Sequence, residues 1–265
     1  MNYVMSDIHG CYEEFMEMLN LINFNENDTL YILGDILDRG KDPLKVLQYV
    51  KNKKNIHLLL GNHECMMLDY YKEKEIKESN KNCFESQGLS FLDTCLEAKE
   101  LWFSNGGKIS YSQLEDLSKD EFKECFNYIK SAKLFKVIEI NNVSYLLVHA
   151  GIYPEHEDNI VQLLKNQTKD TIVWIRSRFF KSEYKYPFKI IFGHTPVKHV
   201  YDEISSYDKM LKELKQESLL EKYEPNKIIY FNNKIGIDGG CVFGGNLTCL
   251  RLEDLKEFFV SKKEG

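Results

Sequence analysis

Residues 29–40 read TLYILGDILDRG, an apolar run that stops at a glycine and turns at once into acids and an arginine. Thr29 to Leu33 has the aliphatic, β-branched content of a core strand, and Gly34 and Gly40 bracket a loop carrying Asp35, Asp38 and Arg39. A strand end that hands polar residues to a loop is how layered α/β folds build ligand sites. The same unit recurs on both sides. Upstream, Tyr3 to Met5 runs into SDIHG at 6–10; downstream, Asn55 to Leu60 runs into GNHE at 61–64. Asp7, Asp35 and Asn62 stand 28 and 27 residues apart, enough for a strand, a helix and a return strand each time.

Four more runs, Val143 to Val148, Lys189 to Phe192, Lys234 to Ile237 and Leu247 to Leu252, read as strands. The first two stop at HAG (149–151) and GHT (193–195). Helical patterns cover Tyr12 to Leu21, Pro43 to Asn52 with proline at its start, and Glu64 to Lys81. The expected architecture is therefore α/β, one domain over 1–265, with a helical insertion at about 66–133 and a smaller one at about 201–226. Neither insertion has linker composition, no repeat is visible, and the chain holds only five prolines, so nothing marks a boundary.

Composition narrows the function. A net charge of −6 gives no basic footprint for nucleic acid, so none is expected as a partner. No apolar run reaches the roughly 20 residues that cross a bilayer, and Met1 leads directly into the first strand without room for a signal. Seven scattered cysteines without a CxxC pair read as reduced, buried thiols, and the expected location is cytoplasmic. Oligomeric state is open.

The motif residues have one chemistry in common. Asp7, His9, Asp35, Asn62, His149 and His194 offer carboxylate, imidazole and amide groups, which suit Mn²⁺, Fe²⁺ or Zn²⁺. Of 35 basic residues only four are arginines, and Arg39 and Arg176 fall inside the motif blocks, where a planar fork grips phosphate oxygens as a lysine does not. Together these are the parts of a two-metal site for phosphate hydrolysis. Glu64 reads as a loop fastener, and His57, His156 and His199 as surface or packing residues. Trp174, Phe179 and Phe180 read as core, and Asn105-Gly106-Gly107 as a turn whose placement near substrate is open.

The blocks SDIHG, GDILDRG, GNHE, HAG, WIR (174–176), GHTP and DGGCVFGGNLTCLRL (238–252) resemble the phosphoprotein phosphatase family of calcineurin-like metallophosphoesterases, in its compact bacterial and phage form. The resemblance runs from residue 5 to about 252; Gly239 departs from it where small bacterial members often carry Thr. It implies a four-layer fold, a central β-sandwich flanked by helices. It further implies that Asp7 and His9 bind one metal, that Asp35 bridges, and that Asn62, His149 and His194 bind the other. Arg39, Asn62 and Arg176 would hold the substrate phosphate, a hydroxide shared by the ions would attack, and His63, oriented by Asp38, would be the general acid. Arg178 is a second clamp or a rim ion pair.

Three readings follow. The leading one is a manganese-dependent phosphatase acting on phosphoserine and phosphothreonine in proteins and on small phosphomonoesters. The alternative is a tetraphosphatase cleaving dinucleoside polyphosphates, since bacterial enzymes of that kind share nearly every motif. A third, an inactive phosphate-binding scaffold, sits poorly with an intact ligand set.

Overall fold

The computed structural model describes residues 1–84, 91–213 and 217–263, the side chains of 76–96 excepted. Among them, eleven strands form two sheets. The strands are β1 (Asn2–Met5), β2 (Thr29–Ile32), β3 (Ile56–Leu58), β4 (Phe135–Ile140), β5 (Val143–Val148), β6 (Lys189–Phe192), β7 (Leu220–Lys222), β8 (Ile229–Phe231), β9 (Lys234–Gly236), β10 (Asn246–Arg251) and β11 (Lys256–Ser261). One sheet runs β11-β10-β1-β2-β3 and the other β4-β5-β6-β9-β8-β7. Each has a parallel core, β1-β2-β3 and β5-β6-β9; antiparallel strands extend the first on the β1 side only, leaving β3 as an edge, and the second on both sides.

The apolar runs are continuous because both faces of these strands are covered. Val4, Tyr31, Leu33, Tyr145, Leu147 and Ile191 meet between the two sheets. Their neighbours Tyr3, Met5, Leu30, Ile32, Leu146, Val148, Ile190 and Phe192 point the other way, into the helix-covered core. This strict alternation is the period of two that strand geometry imposes. The result is the helix–sheet–sheet–helix layering that the resemblance implied.

The helices are α1 (Tyr12–Leu21), α2 (Pro43–Lys51), α3 (Asn62–Phe84), α4 (Phe91–Ser104), α5 (Lys108–Glu115), α6 (Lys119–Ser131), α7 (Ile160–Lys165), α8 (Lys169–Trp174), α9 (Ser177–Phe180) and α10 (Val197–Glu213). The stretch 66–133 is helical as expected, apart from 85–90, which lie outside the described residues. The smaller insertion is corrected: its helix begins at Val197 and ends at Glu213, 214–216 lie outside the described residues, and Leu220–Lys222 is a strand. Sequence reasoning also passed over β4, β7, β8 and β11. These lie at or next to sheet edges, where one face meets water and charges such as Lys136 and Glu139 break the apolar pattern.

Topology aims every parallel strand at one place. β1, β2 and β3 end just before Asp7, Asp35 and Asn62, while β5, β6 and β9 end just before His149, His194 and Asp238.

Candidate active site

The loops leaving these six ends are fastened to one another. Asp7 N donates to Gly34 O (3.3 Å), His9 N to Asp35 O (2.9 Å) and Gly193 N to His149 O (2.7 Å). Between the sheets, His194 N donates to Asp7 Oδ2 at 2.8 Å. Glu64 does the fastening expected of it: Oε2 accepts from Asp35 N (2.7 Å) and Gly61 N (3.0 Å), and Oε1 from Ile36 N (3.0 Å) and Leu37 N (3.3 Å). Burial pushes its carboxyl up to about 7. Gly61 lies so close to Asp35 that an added Cβ would collide with the carboxylate and with the backbone N.

The backbone itself marks the site. Asp7, His9, Asp35, Asp38, Arg39 and His194 all have φ between 42° and 67°. Side-chain-bearing residues pay about 1–2 kcal/mol for that left-handed region, and they stay there only where surrounding bonds over-determine them.

At the centre, Asp35 Oδ2 is 3.5 Å from both His9 Nε2 and His149 Nε2, and 3.8 Å from His63 Nε2. The histidine tautomers are set from behind: His9 Nδ1–H donates to Leu37 O (2.8 Å) and His149 Nδ1–H to Leu33 O (2.7 Å). Both Nε2 atoms therefore turn lone pairs toward Asp35. Near His149 Nε2 lie Asn62 Oδ1 (2.9 Å) and His194 Nδ1 (3.2 Å). Because His194 Nε2 accepts from Arg176 Nε, His194 Nδ1 carries the proton that joins these atoms, and a cation bound here takes that proton's place.

Two groups of ligand atoms within 4.8 Å of one another result, His9–Asp35–His63 and Asp35–His149–His194, with Asp35 in both. The donor set thus fits two divalent ions sharing one carboxylate. Asp7 stands at the edge of the first group, its Oδ1 3.9 Å from His9 Nε2 while Oδ2 accepts from Ser6 Oγ and His194 N. Burial lowers His9, His63, His149 and His194 below the usual imidazole range, with Arg39, Arg176 and neighbouring histidines adding to it for most of them. Neutral imidazole is the form that ligates metal. Burial, with Glu64 and Asp7 nearby, raises Asp35 well above the carboxylate range.

His63 is oriented by Asp38. Its Nδ1–H donates to Asp38 Oδ2 at 2.6 Å, which leaves Nε2 buried, without a hydrogen-bond partner and facing Asp35. Asp38 Oδ2 also accepts from Trp102 Nε1 (2.8 Å), and Asp38 N donates to Ser110 Oγ (2.8 Å). Burial lifts Asp38 to about 7 despite these bonds. Trp102 is fully buried against Tyr70 and Tyr71, so the insertion reaches back to hold the orienting acid. The Asn105 turn also reaches the site, with Gly106 O accepting from Arg39 N at 3.2 Å.

The arginines form the rim. Arg39 Nη1 donates to His9 Nε2 (2.6 Å) and Arg176 Nε to His194 Nε2 (3.1 Å), each guanidinium being otherwise exposed. Arg178 stacks over Tyr153 with Cζ 4.9 Å from the ring centre. Trp174, expected in the core, is half-buried with its ring 5.8 Å from His194; Phe179 and Phe180 are fully buried. His57, His156 and His199 are exposed, away from this centre.

Asp7, His9, Asp35, Asp38, Arg39, Asn62, His63, His149, Arg176 and His194 are thus brought together, while Arg178 is seen only against Tyr153. Sequence reasoning missed Trp102, Ser110 and Asp238. Asp238 is buried, its carboxyl raised by burial and by Asp7, and Oδ1 accepts from Gly240 N (2.9 Å). The signal was present, an acid directly after an apolar strand as at Asp35. The five described cysteines, Cys11, Cys65, Cys125, Cys241 and Cys249, are buried and free, and the side chains of Cys83 and Cys95 lie outside the described residues.

A two-layer sheet core with six parallel strand ends converging on carboxylates, imidazoles and arginines defines a phosphoester hydrolase of the dinuclear-metal class. The sequence profile of the calcineurin-like phosphoesterase family matches residues 3–230, and the chain belongs to that family. A symmetrical bis(5'-nucleosyl)-tetraphosphatase of Wigglesworthia glossinidia brevipalpis is 32% identical over 99% of each chain. One of Buchnera aphidicola from Schizaphis graminum is 25% identical over 98% of this chain and 97% of its own. Among solved structures, one described as a diadenosine tetraphosphatase superposes with a TM-score of 0.62 at 18% identity, covering all of this chain and 94% of its own. A serine/threonine phosphatase from Saccharomyces cerevisiae gives 0.51 at 14%, covering all of this chain and 80% of its own, a likeness of fold alone. No helix among the described residues is long and apolar enough to cross a membrane.

Proposed function

We propose that this chain hydrolyses bis(5'-nucleosyl) tetraphosphates at the central P–O–P linkage, giving two nucleoside diphosphates, with two divalent ions of which Mn²⁺ is the first choice. The observation that carries it is the end-to-end match to the Wigglesworthia tetraphosphatase, over 99% of each chain. The phosphoserine and phosphothreonine reading, placed first on motifs alone, yields to this alternative: its support is a 14% likeness of fold.

In this reading Asp7, His9 and Asp35 hold one ion and Asp35, Asn62, His149 and His194 the other. The ions supply water activation and neutralisation of phosphate oxygens. Arg39 and Arg176 turn their exposed forks from the histidines to the phosphate oxygens, with Asn62 beside them. Asp38 and Trp102 fix the His63 ring so that its unpartnered Nε2 faces Asp35 and the centre. Water loses one proton to solvent as its oxygen joins one central phosphorus, the bond from that phosphorus to the linkage oxygen breaks, and His63, protonated at Nε2 while Asp38 holds its Nδ1–H, gives that proton to the departing oxygen. The departing group is itself a phosphate, stable as an anion near neutral pH, so it leans on that proton far less than a serine alkoxide does.

The test is a comparison of kcat/KM on diadenosine tetraphosphate, a phosphothreonine peptide and p-nitrophenyl phosphate with Mn²⁺ present. The tetraphosphate is expected to lead, with ADP as its product. A preference for the peptide, or AMP and ATP as products, overturns the proposal.

A further inference from the structure

Large apolar side chains held in water are few in the described chain, and two of them flank the site. Phe243 is 66% exposed and Tyr153 is 40% exposed. Each lies under a guanidinium: Arg39 Cζ stands 5.2 Å from the Phe243 ring centre and Arg178 Cζ 4.9 Å from that of Tyr153. Two of the chain's four arginines are thus placed over its exposed site-side aromatics.

Both rings stand on pinned backbone. Phe243 ends a short 3₁₀ turn, Cys241–Phe243, set between Gly240 and Gly244 with φ of 71° and 88°. Phe243 N and Gly245 N both donate to Gly240 O, and Gly240 N is tied to Asp238 at the site. Tyr153 N donates to Gln167 Oε1 at 2.7 Å, and Gln167 Nε2 returns a bond to Tyr153 O at 3.2 Å. A ring exposed on a rigid loop loses little freedom when something stacks on it.

Each ring is linked to a different part of the centre, Phe243 by contact through Arg39 and Tyr153 along the chain. Arg39, which covers Phe243, also bonds His9. Tyr153 follows His149 by four residues, and Arg178 follows Arg176, which bonds His194. Phe243 thus stacks under a proposed phosphate-binding fork itself, and Tyr153 under an arginine two residues along the chain from the other such fork.

We infer that Phe243 with Arg39 and Tyr153 with Arg178 are two nucleobase-stacking platforms, one for each nucleoside of a substrate with planar bases at both ends of a polyphosphate. The inference rests on the proposed function and assigns what that reading leaves open, which residues select nucleosides. Bases stack on aromatic faces with little regard to their identity, so acceptance of purines at either end follows.

The experiment measures kcat/KM for diadenosine tetraphosphate and for base-free inorganic tetraphosphate on the Mn²⁺-loaded full chain. Variants are Phe243→Ala, Tyr153→Ala, the double variant, Phe243→Trp and Tyr153→Trp, with Met210→Ala as an exposed control on α10. Each alanine variant is expected to lower the dinucleotide-to-tetraphosphate ratio by on the order of 10-fold, the double variant by on the order of 100-fold, and each tryptophan variant to keep the wild-type ratio. An unchanged ratio in the alanine variants overturns the platforms while leaving the proposed function standing. A loss at one ring only overturns the two-sided arrangement. A wild-type chain with no preference for the dinucleotide over inorganic tetraphosphate overturns the function and the platforms together.

Discussion

The floor of the site and its rim are built on opposite principles. The floor, made of Asp7, His9, Asp35, Asn62, His63, His149 and His194, is buried, and several of its members sit in left-handed backbone held by carbonyls and by Glu64. The rim, made of Arg39, Arg176, Arg178, Tyr153 and Phe243, is exposed and carried on loops and short helices. A buried, over-determined floor can perform one kind of phosphorus chemistry on many phosphoesters. An exposed rim is the part that an arriving phosphoester meets first, and the proposed platforms place substrate selection there. The motifs quoted from the sequence supply the whole floor and part of the rim, Arg39, Arg176 and Phe243 among it, and on their own they did not separate a protein phosphatase from a tetraphosphatase.

The contrast is broken first at its centre. Asp35→Asn removes the carboxylate that both ligand groups share. Activity is expected to fall by more than about 10³-fold on every substrate, beyond the loss of one electrostatic contact, and elemental analysis should find fewer than two ions per chain. Two tightly held ions in the variant would place the bridge elsewhere.

Next comes His63→Asn, expected to keep its metal. On an alkyl phosphomonoester its deficit should reach about 10²- to 10⁴-fold, the range for a lost general acid. On diadenosine tetraphosphate the deficit should be smaller. Equal losses would mean that His63 positions phosphate rather than delivers a proton.

Trp102→Phe asks whether the insertion serves the floor. It removes one of the two donors to Asp38 Oδ2, leaving a buried acceptor poorer by one bond, at about 1–3 kcal/mol of stability by urea unfolding. The Asp38 carboxyl, already near 7, should rise further, so the acidic limb of the rate profile should move to higher pH. An unmoved profile would make Trp102 packing only.

The smallest effect lies outside both regions. Lys234 is buried, its ammonium bonded to Ser182 O at 2.8 Å, and burial lowers its pKa from 10.5 to about 7. Between those values the unfolded chain holds a proton that the folded one has released, so Lys234 makes stability rise with pH across that window. Lys234→Met should flatten that rise in unfolding measured from pH 7 to 10, with kcat little changed.

What was legible follows the same division. Asp35 after Leu33-Gly34, or His149 after Val148, is a local event, a buried strand stopping at a polar loop, and one sequence displays it in full. Trp102 reaches Asp38 only because α3 and α4 pack back onto the loop, and no local pattern encodes a contact 64 residues away. β4 was lost for a related reason: half of its side chains face water, and FKVIEI mixes charge into a strand that is real. Phe243 lay within a quoted motif, yet its exposure beside Arg39 is a property of the folded loop.

Crystals of the chain soaked in Mn²⁺, with anomalous difference maps recorded at the manganese edge, test the floor most directly. The account expects two peaks flanking Asp35, one against His9 and Asp7, the other against Asn62, His149 and His194. A single peak, or peaks away from Asp35, would contradict it.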